Sequence, residues 1–312
     1  MRLNRFVILF VSALAVFAGQ QNTFGQAAGA GEERTLQTAD GWPIRITYYE
    51  STAGKESPVV VLFPGVEGFE DSRTRKVWEG VAKKLHADKY AVVLADLRKH
   101  GDSLPPTESD DERSRLTRLT QADYGLMVTQ DLEAIKAFLV EEHQREKLNI
   151  RKLGLGSAGS GCLVAAAFAA NDWLKKPWPD APVLALRTPR GQDVRAILML
   201  SPEATVRGLD STGPIREIAT PVRGIAVHIY YNPSNRSEKR AAERLFRPLD
   251  LRNNDPQEAR MLIPGPPDEV YSAEGLLQDK AGEVMETKIL EFFNKFVKDR
   301  PEPWKTRTSR LQ

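Results

Sequence analysis

Tyr90-Ala-Val-Val-Leu-Ala-Asp-Leu-Arg-Lys-His-Gly-Asp-Ser103 joins an unbroken apolar run to a charged turn. Apolar residues without polar alternation mark a strand covered on both faces, as in a parallel sheet. Upstream, Pro58-Val-Val-Val-Leu-Phe63 has the same character, and Trp78, Val81, Ala82 and Leu85 recur between the two at helical spacing. A strand, a helix and a second strand in that order form a crossover unit, the building block of a parallel sheet.

Working outward towards the N-terminus, Thr35–Asp40 and Ile44–Tyr49 flank Asp40-Gly41, a hairpin turn signal, and residues 26–33 read as a flexible leader. Towards the C-terminus, residues 103–120 are polar and read as a surface loop, and Met127–Val140 as an amphipathic helix. Lys152–Leu155 reads as a short strand, Leu163–Ala170 as a buried helix, and residues 174–193 as a Pro-rich connection. Strands over Val194–Leu200, Ile225–Tyr231 and Arg260–Ile263 follow, with helices over Ser237–Phe246 and Ala281–Val297. The expected fold class is α/β: a mostly parallel sheet with helices on both faces and an N-terminal hairpin, in one domain over residues 34–298. Residues 299–312, with Lys298, Arg300, Lys305, Arg307 and Arg310 around them, read as a solvated basic tail.

The N-terminus is of a different kind. Arg2 and Arg5 precede an uncharged apolar run, Phe6–Ala18, shorter than the roughly 20 residues of a membrane span. Small residues follow, so residues 1–25 are expected to be a signal peptide cleaved between Ala18 and Ala30, sending the protein to the periplasm or the exterior with no integral span left. Without Arg2 and Arg5, 42 basic residues balance 42 acidic ones, which excludes a broad nucleic-acid-binding field. Cys162 is the only cysteine, so neither an intrachain disulfide nor a cysteine metal site is available.

Two segments carry a family resemblance. Leu62-Phe63-Pro64-Gly65 resembles the strand ending in His-Gly of the α/β-hydrolase superfamily, of the small esterase and serine-aminopeptidase-like type, and Asp96–Ser103 resembles that family's Asp-x-Arg-Gly-His-Gly-x-Ser turn. The resemblance covers roughly residues 35–298. It implies an oxyanion-type loop at Pro64, Gly65 and Val66, and a structural turn containing Asp96, Arg98, His100 and Asp102. It also implies a nucleophile on a sharp strand-to-helix turn, an acid after the strand near residue 231, and a His after the last strand. Between residues 201 and 224 there is room for little or no lid.

The nucleophile turn is Lys152-Leu-Gly-Leu-Gly-Ser-Ala-Gly-Ser-Gly-Cys162. Aligned without a gap, the nucleophile position falls on Gly159. A one-residue shift makes Ser160 the nucleophile, and Ser157 fits worst because Leu155 is bulky where a small residue is needed. The acid loop reads Asn232-Pro-Ser-Asn235, leaving Glu203 as a displaced acid. The histidines are His86, His100, His143 and His228, and none follows the last strand. No His pair has metal-ligand spacing, Gly154–Gly159 is only superficially a dinucleotide motif, and no phosphate-loop lysine occurs, so no metal and no cofactor are expected. Two readings stay open: a non-catalytic exported protein that binds a small molecule or an envelope partner, and an atypical serine hydrolase using Ser160 or Ser157.

Overall fold

A computed structural model describes residues 31–66, 74–250, 258–266, 271–309 and 311. The expected signal peptide, and the leader up to residue 30, lie outside the described residues.

Among the described residues eight strands form one sheet: β1 Glu32–Gln37, β2 Pro43–Tyr49, β3 Val59–Phe63, β4 Ala91–Ala95, β5 Leu153–Ala158, β6 Val194–Leu200, β7 Ala226–Tyr231 and β8 Arg260–Pro264. Their order is β1-β2-β4-β3-β5-β6-β7-β8. The hairpin β1–β2 and the β2–β4 pair are antiparallel, and every pair from β4 through β8 is parallel. The helices are α1 Glu79–Ala87, α2 Asp110–Thr117, α3 Gln121–Leu126, α4 Leu132–Gln144, α5 Gly161–Leu174, α6 Thr212–Ala219, α7 Arg236–Phe246 and α8 Asp279–Phe293. The mostly parallel α/β sheet expected from the sequence is the one found.

The two-residue period of β3 splits the core. Val59, Val61 and Phe63 face a cluster with Leu132, Ile135 and Leu139 of α4, Leu163–Ala170 of α5, and Ile215 and Ile218 of α6. Val60 and Leu62 face the opposite cluster, with Val81, Ala82 and Leu85 of α1 and Met285, Ile289, Phe292 and Phe293 of α8. Both faces are therefore covered, which is why β3 and β4 carry no polar residue at all. The stretch between β6 and β7 contributes only α6 and a short 3-10 turn, and α6 buries its apolar face in the core instead of rising as a lid.

Several boundaries differ from the sequence reading. β1 begins at Glu32, paired with Tyr48, so the last residues of the expected leader belong to the hairpin. The 103–120 stretch contains α2, which has almost no apolar face to signal it. Its start is encoded instead by Ser109, whose side chain accepts the Glu112 N–H, and by Asp110, Asp111 and Glu112 in the first turn. The helix expected over Met127–Val140 begins with α3, passes through a π-turn at Met127–Asp131, and continues as α4.

The basic tail is solvated only in part: Lys305 is exposed, but Trp304 and Arg307 turn inward. Trp304 stacks on His143 with ring centroids 4.8 Å apart, and His143 Nε2 lies 2.8 Å from the Lys305 carbonyl oxygen. Arg307 is buried and its guanidinium pairs with Asp193. Asp193 also accepts from Lys136 Nζ at 2.7 Å, and Lys136 reaches Asp172 at 2.6 Å. Two cations and two anions thus balance inside the protein, as burial demands. Burial pushes the Arg307 guanidinium down to about 10 and lowers Lys136 as well. Among the described residues no helix is long and apolar enough to cross a membrane.

Candidate functional site

The carboxyl ends of the parallel strands gather on one edge of the sheet. There β5 ends at Ala158 and α5 starts at Gly161, so two residues make the whole turn. Gly159 has φ +51°, the left-handed region that glycine enters without steric cost. Its N–H donates to the Leu200 carbonyl at 2.9 Å, and its own carbonyl accepts the Glu203 N–H at 3.4 Å. The turn is therefore pinned to the end of β6. Gly161 is required for another reason: a Cβ there would stand 2.2 Å from Ser157 Oγ and 2.7 Å from the Pro64 carbonyl.

Ser157 is buried inside β5, and its Oγ makes only a long contact, 3.4 Å, to the Pro64 carbonyl. Ser160, also buried, immediately precedes α5 without capping it, and its Oγ accepts the Val66 N–H at 3.1 Å. The neighbouring amide is taken too: Gly65 N–H donates to Glu274 Oε1 at 2.5 Å. A carboxylate accepting a buried amide is a charge-assisted bond, stronger than a neutral one. Tyr124 Oη donates to the Val66 carbonyl at 3.3 Å, holding the same loop from α3. Both amides of the Gly65–Val66 loop are thus engaged within the protein.

Glu274 lies in the short 3-10 helix Ala273–Leu277 between β8 and α8. The Ala273 N–H donates to Ser201 Oγ at 2.9 Å, which ties that segment to the end of β6. After β7, Asn232 is fully buried, and its Oδ1 accepts the Ser234 N–H at 2.9 Å. Its amide Nδ2 lies 3.4 Å from Ser272 Oγ, so the segments after β7 and β8 meet through an amide and a hydroxyl. Asn235 caps α7, accepting the N–H groups of Ser237 and Glu238.

The turn after β4 is charged. Arg75 Nη1 pairs with the buried Asp96 and, at 2.8 Å, with Asp102, while Arg75 Nη2 reaches Glu33 at 2.5 Å. Asp96 also accepts the Arg75 N–H at 2.6 Å and the Asp102 N–H at 3.1 Å. Arg98 takes other partners: Asp131 at 2.7 Å and Asp40 at 2.9 Å. Burial pushes the Asp96 and Asp131 carboxyls upward, against the pull of their arginines. His100 is buried in the turn, with Nδ1 2.9 Å from the Arg98 carbonyl oxygen.

The remaining histidines lie elsewhere in the fold. His86 Nε2 faces the Glu50 carbonyl at 3.0 Å, and His143 is sandwiched by the tail. His228 packs against Phe292 with ring centroids 4.2 Å apart, and burial lowers it to about 4. The Cys162 thiol sits 3.3 Å from the Ser157 carbonyl, and burial raises it well above the ordinary thiol range, the reverse of what a reactive cysteine needs. No group of three metal-ligating side chains is assembled among the described residues.

Solved structures match this chain over most of its length. It aligns with Thermogutta terrifontis esterase 2 phosphorylated by paraoxon at a TM-score of 0.58 and 14% identity, covering 87% of this chain and 96% of the esterase. The chain is the α/β-hydrolase fold. A complex of DcsB with its substrate analogue gives 0.56 and 12%, covering 86% of this chain and 100% of the other. A putative dienelactone hydrolase from Klebsiella pneumoniae gives 0.54 and 11%, with 85% and 98% covered. No family model matches the chain, and no curated protein does.

The α/β-hydrolase sheet brings Gly159, Ser160, Glu203, Asn232 and the Gly65–Val66 loop to one edge. Glu274 joins them, a residue that no sequence pattern marks because its partner, the Gly65 amide, lies 209 residues away. Arg75 likewise has no local pattern to announce it: its side-chain partners Asp96, Asp102, Thr47 and Glu33 lie 21 to 42 residues away.

Proposed function

We propose that this is a non-catalytic α/β-hydrolase-fold protein, exported through its N-terminal segment, that binds a small molecule or an envelope partner at the carboxyl edge of the sheet. One observation carries the reading: the sharp turn presents Gly159, a residue with no side chain, next to two loop amides already bonded to Ser160 and Glu274. An acyl-transfer site needs a nucleophile at such a turn, a base beside it, and free amide donors for the oxyanion. The His228 and His143 rings serve packing, and the segment before α8 offers a carboxylate in place of an imidazole.

A second reading is an atypical serine hydrolase using Ser160 or Ser157. It draws on the 3.1 Å contact between Ser160 Oγ and the Val66 amide, which puts a hydroxyl in the turn, and on Glu203 and Glu274 nearby. Hydrolysis of p-nitrophenyl acetate separates the two. The parent protein is expected to show no turnover above background. A parent that turns over, and loses roughly 10³-fold or more on Ser160→Ala, Ser157→Ala or His100→Ala, identifies that residue as the catalyst instead. For export, mass spectrometry of the native protein is expected to find an N-terminus between Gly19 and Gly31, and an intact Met1 on cytoplasmic protein overturns it.

A further inference from the structure

Seven large apolar side chains are exposed among the described residues, and four of them, Leu174, Val183, Leu184 and Leu186, fall in or beside the connection between α5 and β6. That connection is a closed loop. At its base the Trp178 N–H donates to the Thr188 carbonyl at 2.8 Å, the Thr188 N–H to Asp180 at 2.9 Å, and Arg187 Nε to the Ala181 carbonyl at 2.8 Å. Above this base residues 182–186 are all exposed, with Leu184 and Leu186 at 66% and 61%. The tail fastens to the same base through Ser309 and Asp180 at 3.2 Å, which brings a fifth exposed apolar residue, Leu311, to this side of the molecule.

The flanks of the tip are cationic. Lys175, Lys176, Arg187 and Arg190 stand against Asp180 alone in this stretch. Lys175 pairs with Glu133 on α4, but Lys176, Arg187 and Arg190 have no carboxylate partner among the described residues, and Arg190 lies over the Trp178 ring at 4.4 Å. An ordered base, an apolar tip and unneutralised cations around it match a surface of apolar interior and negative headgroups.

We propose that residues 174–190 dock the protein on an anionic lipid bilayer, with Val183, Leu184 and Leu186 entering the headgroup boundary and Lys176, Arg187 and Arg190 meeting lipid phosphates. The proposal is independent of whether the carboxyl edge of the sheet is catalytic, since this loop joins α5 to the opposite, amino-terminal end of β6.

Co-sedimentation with vesicles tests it, on a form beginning at Gly31. That form keeps all eight strands and both core clusters, and leaves out the Phe6–Ala18 run, which would bind lipid by itself. Binding is expected to vesicles of phosphatidylcholine with phosphatidylglycerol, weakly to phosphatidylcholine alone, and to fall with salt. Leu184→Ser with Leu186→Ser should weaken binding by about 30-fold or more, and Lys176→Glu with Arg190→Glu should remove the preference for anionic lipid, with melting temperatures unchanged. Equal binding by the parent and both double variants, or none by the parent, overturns the proposal. So does a parent dimer in light scattering that the Leu184→Ser/Leu186→Ser variant converts to monomer, because the tip would then be covered by a second copy.

Discussion

The turns after β4 and β5 leave the same edge of the sheet, two strands apart, yet are held by opposite means. The first is bolted by Arg75 and Arg98 to Asp96, Asp102, Asp131 and Asp40. The second is Gly159 and Ser160, held by backbone amides and one hydroxyl. Charges fix the scaffold where no chemistry is expected, whereas the place where this fold can seat a nucleophile is built from small, neutral residues. A buried ion pair is costly to assemble and costlier to break, so the first turn resists change far more than the second.

Arg75→Ala gives the comparison its hardest test. It strands the fully buried Asp96, and urea unfolding is expected to show a loss of about 3–5 kcal/mol. A loss below 1 kcal/mol would dissolve the contrast between the two turns.

Next in size is a pH effect that sharpens the assignment of the histidines to packing. His228 is held at about 4 by burial, below its ordinary 6.5. Between those values the unfolded chain takes up a proton that the folded protein refuses, so stability falls as pH drops from 6.5 towards 4, by roughly 3 kcal/mol in all. His228→Phe should flatten that part of the stability curve relative to the parent. An unchanged slope would mean that the ring is accessible.

The smallest effect is expected at the second turn. In Gly159→Ala the added methyl has space, its nearest neighbour being the Gly65 Cα at 3.9 Å, so the cost is backbone strain alone. Thermal melts should register a loss of about 1–2 kcal/mol. A larger loss would show the turn to be as tightly specified as its neighbour.

The sheet was legible because its strands are unbroken apolar runs and its helices have 3.6-residue periodicity; Val60 and Val92, inside the two runs read as strands covered on both faces, are paired and fully buried. Gly159 could be placed at the strand–helix turn because the flanking residues are all small. What pattern does not encode is pairing across the chain. Glu274 meets Gly65 across 209 residues, and Arg307 meets Asp193 across 114, and neither has a neighbour in sequence that announces it. α2 escaped because its signal lies in capping and charge, not in periodicity.

The inward fold of the tail sets an order of events during synthesis. Lys136 and Asp193 are made long before Arg307, and the charge on Asp193 has its full complement of partners only when residue 307 has emerged. Until then the nascent sheet carries an acidic group that favours water over its eventual dry position. Seating Trp304 against His143 and Arg307 beneath the amino-terminal end of β6 therefore waits on the last residues to be made, and a chain still on the ribosome has not yet closed this part of its interior.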